Sequence, residues 1–264
     1  MKKETSFTLL LTVFLVGCTH YYYVPNVQNI PLFRDKNELQ LSGEVGSATD
    51  KTPLWGKGDT RCMDLQAAYS LSTRIGFQLN YMSLRYENNV SGNALDDNSM
   101  SGNYYESALG YFNPIGKHGV FELYGGIGLS DQHHVYANSY NNLTGTADLN
   151  FTKLFLQPAL GLTYSSFDIA LSSRIYTLRY NNIDASNNDI ANYENFNSIQ
   201  GTDHVFIEPA FTIRTGWRVV KVQFQYVYVN KLNPPYLHFY ERSHVSLGLL
   251  LSLGGGVNNS KKLK

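Results

Sequence analysis

The chain has 264 residues and equal numbers of basic and acidic side chains, 21 of each, so its formal net charge is zero. That balance argues against a nucleic-acid-binding surface, which needs an excess of positive charge. Charged residues make up 16% and aromatics 14%, with 20 Tyr, at a mean hydropathy of -0.26. This composition is unlike that of the usual soluble enzyme and suits strands that are apolar on one face and polar on the other.

Residues 1–17 read as an export signal. Lys2 and Lys3 give a positive start, and Phe7 to Val16 is an apolar core. That core is shorter than the ~20 residues a spanning helix needs, but it has the length of a signal peptide. Its end, Leu15-Val16-Gly17-Cys18, resembles the lipobox of bacterial lipoproteins. The resemblance implies cleavage before Cys18 and a diacylglycerol thioether on its sulfur. Several acyl chains on one residue anchor stably, because two hold where one does not. Thr19 to Tyr23 contains no acidic residue of the kind that routes some lipoproteins to the cell surface, so the lipid is expected on the periplasmic side. Residues 18–36, with Pro25 and Pro31, read as the lipidated N-terminus and a periplasmic linker. Cys62 is left alone, so no intrachain disulfide is expected; it reads as a small, partly buried residue.

Residues 37–254 alternate apolar and polar side chains with period two. In chain order the apolar sets begin with Leu39, Leu41 and Val45. They continue through Met63–Leu71, Ile75–Tyr81, Tyr105–Tyr111, Phe121–Leu129 and Leu154–Tyr164. The last four are Phe167–Ile175, Val205–Ile213, Val220–Tyr228 and Val245–Leu253. The sets predict an all-β fold, a ten-stranded antiparallel up-and-down transmembrane β-barrel, because a tilted strand of about 9–11 residues crosses a bilayer. Short connections fall near Ser72–Arg74, Asn113–His118, Ser165–Ser166 and Arg214–Gly216. Long ones fall near 48–60, 87–103, 131–150, 180–204 and 230–242. Short periplasmic turns opposite long outer loops are the pattern of outer-membrane barrels, and an even strand count puts both barrel ends at the short-turn side. A barrel this narrow has no room inside for about five large apolar groups from every strand, so that face points outward into lipid. A soluble sandwich, burying the same set between two sheets, is the competing architecture. Tyr111, Phe112, Tyr164, Phe167 and Trp217 on the turn side, with Tyr86, Tyr104 and Tyr228 on the loop side, read as interfacial girdles. Residues 255–264 are a polar C-terminal tail.

The alternate positions then face the bore. They carry Glu44, Asp64, Glu106, Glu122, Lys153, Asp168, Arg174, Glu208, Arg214 and Lys221, expected to pair across it because an unpaired buried charge is costly. The interior reads either as a sealed, salt-bridged filling or as a narrow polar path for small solutes. Gly110, Gly126, Gly128, Gly161 and Gly248 also face in and leave room.

Few residues suggest chemistry. Ten-stranded outer-membrane barrels include the omptin proteases, which use an aspartate pair and an Asp/His couple to activate water. Asp96-Asp97 and Asp203-His204 are the matching residue types, but neighbours on a strand point to opposite faces. His133-His134 lacks the spacing of a metal site. Neither metal nor cofactor is expected.

Tyr21-Tyr-Tyr-Val-Pro-Asn-Val-Gln-Asn-Ile-Pro-Leu-Phe33 behind the lipobox, Phe155-Leu-Gln-Pro-Ala-Leu-Gly161 and Phe167-Asp-Ile-Ala-Leu-Ser-Ser-Arg174 are similar to a group of Bacteroidota outer-membrane β-barrel lipoproteins of unassigned function. The resemblance implies location and fold, and carries no catalytic residues. The expected role is non-enzymatic: structural or interactive, with a narrow pore as one form of it. The alternative is surface binding or adhesion through long loops rich in Asn, Ser, Gly and Tyr, with omptin-like proteolysis a distant third. The expected surroundings are outer-membrane lipid, lipopolysaccharide and other envelope proteins, and no nucleic acid.

Overall fold

A computed structural model describes residues 21–49, 60–87, 98–138, 143–233 and 240–254. The expected signal peptide, Cys18, Asp96, Asp97 and the 255–264 tail lie outside the described residues.

Ten antiparallel strands close into a barrel. They are β1 (Leu39–Thr49), β2 (Thr60–Ser70), β3 (Ile75–Glu87), β4 (Ser99–Ile115), β5 (Gly119–Asn138), β6 (Leu143–Thr163), β7 (Phe167–Ala185), β8 (Asp203–Gly216), β9 (Val220–Tyr228) and β11 (Ser243–Leu253). Between the last two, β10 (Asn230–Lys231) adds a short pairing to β8. Each wall strand pairs with its sequence neighbour, and β1 closes the ring on β11 from Leu39↔Leu253 to Thr49↔Ser243. Closure leaves no row of unpaired backbone groups at an edge. The short turns share one end. Ser72 Oγ accepts from the Arg74 and Ile75 amides in the β2–β3 turn, and Gly116, at φ 59°, supplies the left-handed residue of the β4–β5 turn. The β8–β9 turn falls at 217–219, just past the expected Arg214–Gly216, and is closed by Trp217 N donating to Val220 O.

The outer wall carries the apolar sets. Leu41, Leu65, Leu79, Leu109, Leu129, Leu156, Leu171, Val222 and Leu249 all remain exposed, so they are not sealed between two sheets. Of the expected girdle residues, Tyr111, Tyr164, Phe167 and Trp217 face outward, whereas Phe112, Tyr86 and Tyr104 are buried inside. Those three sit on the opposite strand parity from their outward neighbours, as Phe112 does beside Tyr111.

Toward the long-loop end β4 to β7 run much further than the sequence suggests. Most of the expected 131–150 loop is a continued hairpin, Asp131–Asn138 with Leu143–Asn150. Here the polarity is inverted. Asp131, His133 and Asp148 face out, while Tyr136, Leu143, Ala147 and Leu149 are buried. Above it, residues 186–202 form two short helices, α1 (Asn188–Tyr193) and α2 (Phe196–Ile199). The Asn187 side chain caps α1 by accepting from Ile190 N, and Ile190, Phe196 and Ile199 turn inward.

The largest difference lies at the N-terminus. Within the described part of the expected periplasmic linker, Tyr21 to Phe33 is buried throughout and passes along the bore, and only Arg34 to Lys36 emerge. Its contacts at the two ends are with opposite mouths of the barrel. Tyr23 bridges Tyr240 at the long-loop end, and Phe33 packs on Phe112 beside the short turns. The segment is irregular, and at ~3.3–3.6 Å per residue a stretch of this length must run nearly straight to join the two ends.

Leu171, 62% exposed on the outer wall, tests which solvent that wall meets. Leu171→Arg is expected to lower unfolding free energy in phospholipid vesicles by about 2–4 kcal/mol. Thr144→Arg, on the outer face of the inverted hairpin, should stay within about 0.5 kcal/mol of wild type. Denaturant titration of vesicle-folded protein checks both.

Candidate functional site: a bore filled by the chain's own N-terminal segment

The filling segment has three chemical zones, each matched by the wall around it. Tyr21, Tyr22, Tyr23 and Val24 lie in the long-loop half, where the wall turns aromatic and apolar side chains inward. The Tyr23 ring stacks on Phe206 at 5.6 Å between centroids and tilts against Tyr176 at 5.5 Å. Tyr22 meets Phe196 of the helical loop edge-on at 5.8 Å, and its hydroxyl donates to the Glu194 carboxylate. Burial raises the Glu194 pKa above the ordinary carboxylate value, and the Tyr22 hydrogen bond pulls it back in part.

The middle zone, Pro25 to Asn29, is polar and is held almost atom by atom. The Pro25 carbonyl accepts from His244 Nδ1 at 2.7 Å. Val27 N donates to Asp64 at 3.2 Å, and its carbonyl accepts from Gln66 Nε2 at 2.9 Å. Gln28 exchanges both backbone groups with the Gln225 amide, at 2.6 and 2.9 Å, and its side chain bridges Ser172 and the Glu208 carbonyl. Asn29 donates to Asn80 and accepts from Gln157 on its carbonyl. An irregular strand inside a barrel has no ladder partner, so buried backbone groups must find side chains. Pro25 and Pro31 each remove one donor that would need such a partner.

At the level of Asn26 lies the main charge cluster. Glu106 and Glu208 face Lys153 and Arg174, and all four side chains are fully buried. Glu106 accepts from Arg174 at 3.1 Å, Tyr104 at 2.7 Å, Asn80 at 2.8 Å and Asn26 at 2.9 Å. Asn26 returns the contact, its Oδ1 accepting from Arg174 at 2.9 Å. Glu208 accepts from the Tyr23 hydroxyl at 3.0 Å. Lys153 Nζ sits 4.2 Å from the Tyr176 ring centroid and Arg174 4.7 Å from that of Phe155, so aromatic faces complete the cation shells. Two acids against two bases leave no net formal charge in the cluster.

The third zone is a short apolar foot. Ile30 and Leu32 pack on Val120, Ala159 and Ala170, and Phe33 on Ala68 and Phe112. The wall makes space for it with glycine: a Cβ at Gly161 would lie 2.5 Å from Leu32, and one at Gly76 3.2 Å from Phe33. Leu32 adopts φ 55°, a left-handed conformation that costs a residue with a Cβ about 1–2 kcal/mol. Phe33 N donates to Glu122 at 3.1 Å and the Ile30 carbonyl accepts from Arg214 at 2.7 Å.

All ten charged residues read from alternation as bore-facing are buried, but they do not form one network. Glu106, Lys153, Arg174 and Glu208 cluster. Lys221 pairs with Asp168 at 2.6 Å near the short turns. Glu44 reaches Arg214 only through Gln223, and Asp64 and Glu122 hold backbone amides of the filling segment. Alternation alone missed the amide layer, Asn26, Gln28, Asn29, Gln66, Asn80, Gln157 and Gln225, which does most of the holding. The signal was present: wall amides on the same inward parity as the charges, and Asn and Gln packed between two prolines.

The residues weighed for chemistry are separated. Asp203 is exposed and pairs with Arg179, whereas His204 is buried. His133 is exposed and bonded to Asp148, whereas His134 is buried. Among the described residues no group of three or more His, Cys, Asp or Glu is placed to hold a metal.

No protein-family model matches the chain, and no curated protein matches its sequence. Solved barrels are similar in outline. Ail, the attachment invasion locus protein of Yersinia pestis, is 10% identical with a TM-score of 0.39, over 83% of this chain and 99% of that one. The translocator domain of autotransporter NalP from Neisseria meningitidis is 7% identical with a TM-score of 0.48, over 82% and 88%. The outer membrane protease OmpT from Escherichia coli is 9% identical with a TM-score of 0.42, over 82% and 97%.

Removing the Arg174 guanidinium leaves two buried carboxylates facing one ammonium. Arg174→Ala is expected to cost about 3–5 kcal/mol, read as a drop in the temperature at which the folded, fast-migrating gel band is lost. Asn29→Cys with Asn80→Cys, in a Cys62→Ser background, should be joined by a short bifunctional maleimide in the folded protein and not after denaturation.

Proposed function

We propose that the protein is a lipid-anchored barrel of the bacterial outer membrane whose bore is shut by its own N-terminal segment. Its role on this reading is structural and interactive, exercised through the long-loop face, and neither catalytic nor conductive. The observation that carries it is the filling from Tyr22 to Phe33. Many polar groups of the bore are bonded to Asn26, Gln28, Asn29 and the backbone between them, so the segment occupies the path a solute would take. The outward Leu, Val and Tyr band supports the membrane setting, because a monomer in water rarely exposes so large an apolar surface. The lipobox-like end at Cys18 supports the anchor.

The reading favours interaction at the long-loop face because its described 186–202 connection is built into the barrel mouth. The α1–α2 loop is tied to the filling segment through Tyr22, Glu194 and Phe196, and it leaves Tyr193 56% exposed. Pre-ordered loops lower the entropic cost of binding a partner.

Planar-bilayer recording tests the closed bore. The purified protein should give no steady conductance, and a chain lacking residues 21–33 should give a stable open level. A steady ohmic conductance from the intact protein would remove the reading. The anchor is checked separately: Cys18→Ser should abolish incorporation of a radiolabelled fatty acid into the expressed protein.

A further inference from the structure

We infer that the chain enters its barrel from the long-loop mouth, so that the residues preceding Tyr21, with Cys18 and its lipid, stand on the outer side of the membrane. This rests on the proposal above that the barrel spans the outer membrane with its long loops outward. It reverses the side expected from the sequence.

The direction of the segment follows from its contacts. At its foot, Arg34 Nη1 donates to the Gly119 carbonyl and Nη2 to Gly116, both at the β4–β5 short turn. The Asn37 amide donates to Ser70 at the end of β2, and β1 then starts at Leu39 opposite Tyr69 and Leu253. At its head, Tyr21 stands edge-on to Tyr86, 6.2 Å away. Tyr86 pairs with Thr60 at the loop ends of β3 and β2. The Tyr22 carbonyl accepts from Tyr180, and the Tyr23 carbonyl from the Glu241 amide. Tyr86 at the end of β3, Glu194 in the β7–β8 connection and Tyr240 in the β9–β11 connection all lie at the long-loop mouth. The polypeptide therefore runs from that mouth down to the short turns before β1 carries it back up.

Chain length fixes the rest. Cys18 is three residues from Tyr21, and at ~3.6 Å per residue that linkage reaches at most about 11 Å. The hydrocarbon core is ~30 Å thick, and the bore is already occupied. An acyl group on Cys18 cannot return to the periplasmic leaflet by that route and stays on the outer side. An anchor there would fix the head of the filling segment by its lipid while β1 fixes its foot covalently.

Three single-cysteine variants in a Cys62→Ser background test this with a membrane-impermeant maleimide on intact cells. The positions are His20→Cys, Asp189→Cys in the long-loop cap and Lys117→Cys in a short turn. The expected result is labelling at 20 and 189 on intact cells, with 117 labelled only after the outer membrane is permeabilised. Labelling at 189 alone on intact cells, with 20 appearing only after permeabilisation, overturns the inference and leaves the barrel reading intact. Labelling at 117 without 189, or at neither until the cells are opened, overturns the orientation or the membrane reading itself.

Discussion

A closed barrel of ten strands encloses space that must be filled, and here the filling is a length of backbone. That choice sets the chemistry of the rest. Peptide groups taken out of water need hydrogen-bond partners, so the wall supplies Asp64, Gln66, Gln157, Gln225 and His244 at heights matched to successive carbonyls and amides. The dependence runs both ways. Without Asn26 and Tyr23, Glu106, Arg174 and Glu208 would each lose a partner in a place where a partner is expensive to lose. Wall and filling are one core built from two ends of the sequence.

The same strands meet two solvents. Over the lower and middle wall, apolar side chains face out and polar ones face in, the order that lipid imposes. In the projecting hairpin of β5 and β6 the order reverses, with Asp131, His133 and Asp148 outside and Tyr136 and Leu149 inside, as for a sheet in water over an apolar core. The switch falls along continuous strands, and at its level the β6–β7 register shifts between Asn150 and Phe151. It marks where the surroundings change, and it explains why the bore is aromatic above the charge cluster and polar at its level.

Much of this was legible. Ten strands, their outward faces, the short-turn end and the inward charges follow from period-two alternation, since a residue's parity fixes its face. Three things were not. The projecting hairpin looks like loop in the sequence because apolar outward residues mark a strand, and above the membrane those residues are polar. Phe112, Tyr86 and Tyr104 have the residue type of a girdle, but their parity places them inside. The segment from Tyr21 to Phe33 has the sequence of a linker, because two prolines and no alternation mean irregular chain. The backbone is indeed irregular, but its sequence carries no sign of what surrounds it. Irregular chain is tolerated inside a barrel when side chains replace the ladder, and a sequence shows that only when the inward amides are counted together with the charges.

The arrangement also constrains how the molecule can be assembled. The filling segment lies at the start of the chain, yet much of its grip comes from the far end: Gln225 on β9, His244 on β11 and the Glu241 amide between them. β11 pairs with β9 on one side and closes the ring against β1 on the other. Threading a segment headed by three tyrosines through a closed wall would mean dragging those rings past the Glu106, Lys153, Arg174 and Glu208 cluster. Closing the wall around a segment already lying against it requires no such passage. Seating the segment and sealing β1 against β11 are then one event, since the side chains that complete the hydrogen bonds of Pro25 and Gln28 arrive only with the closing strands.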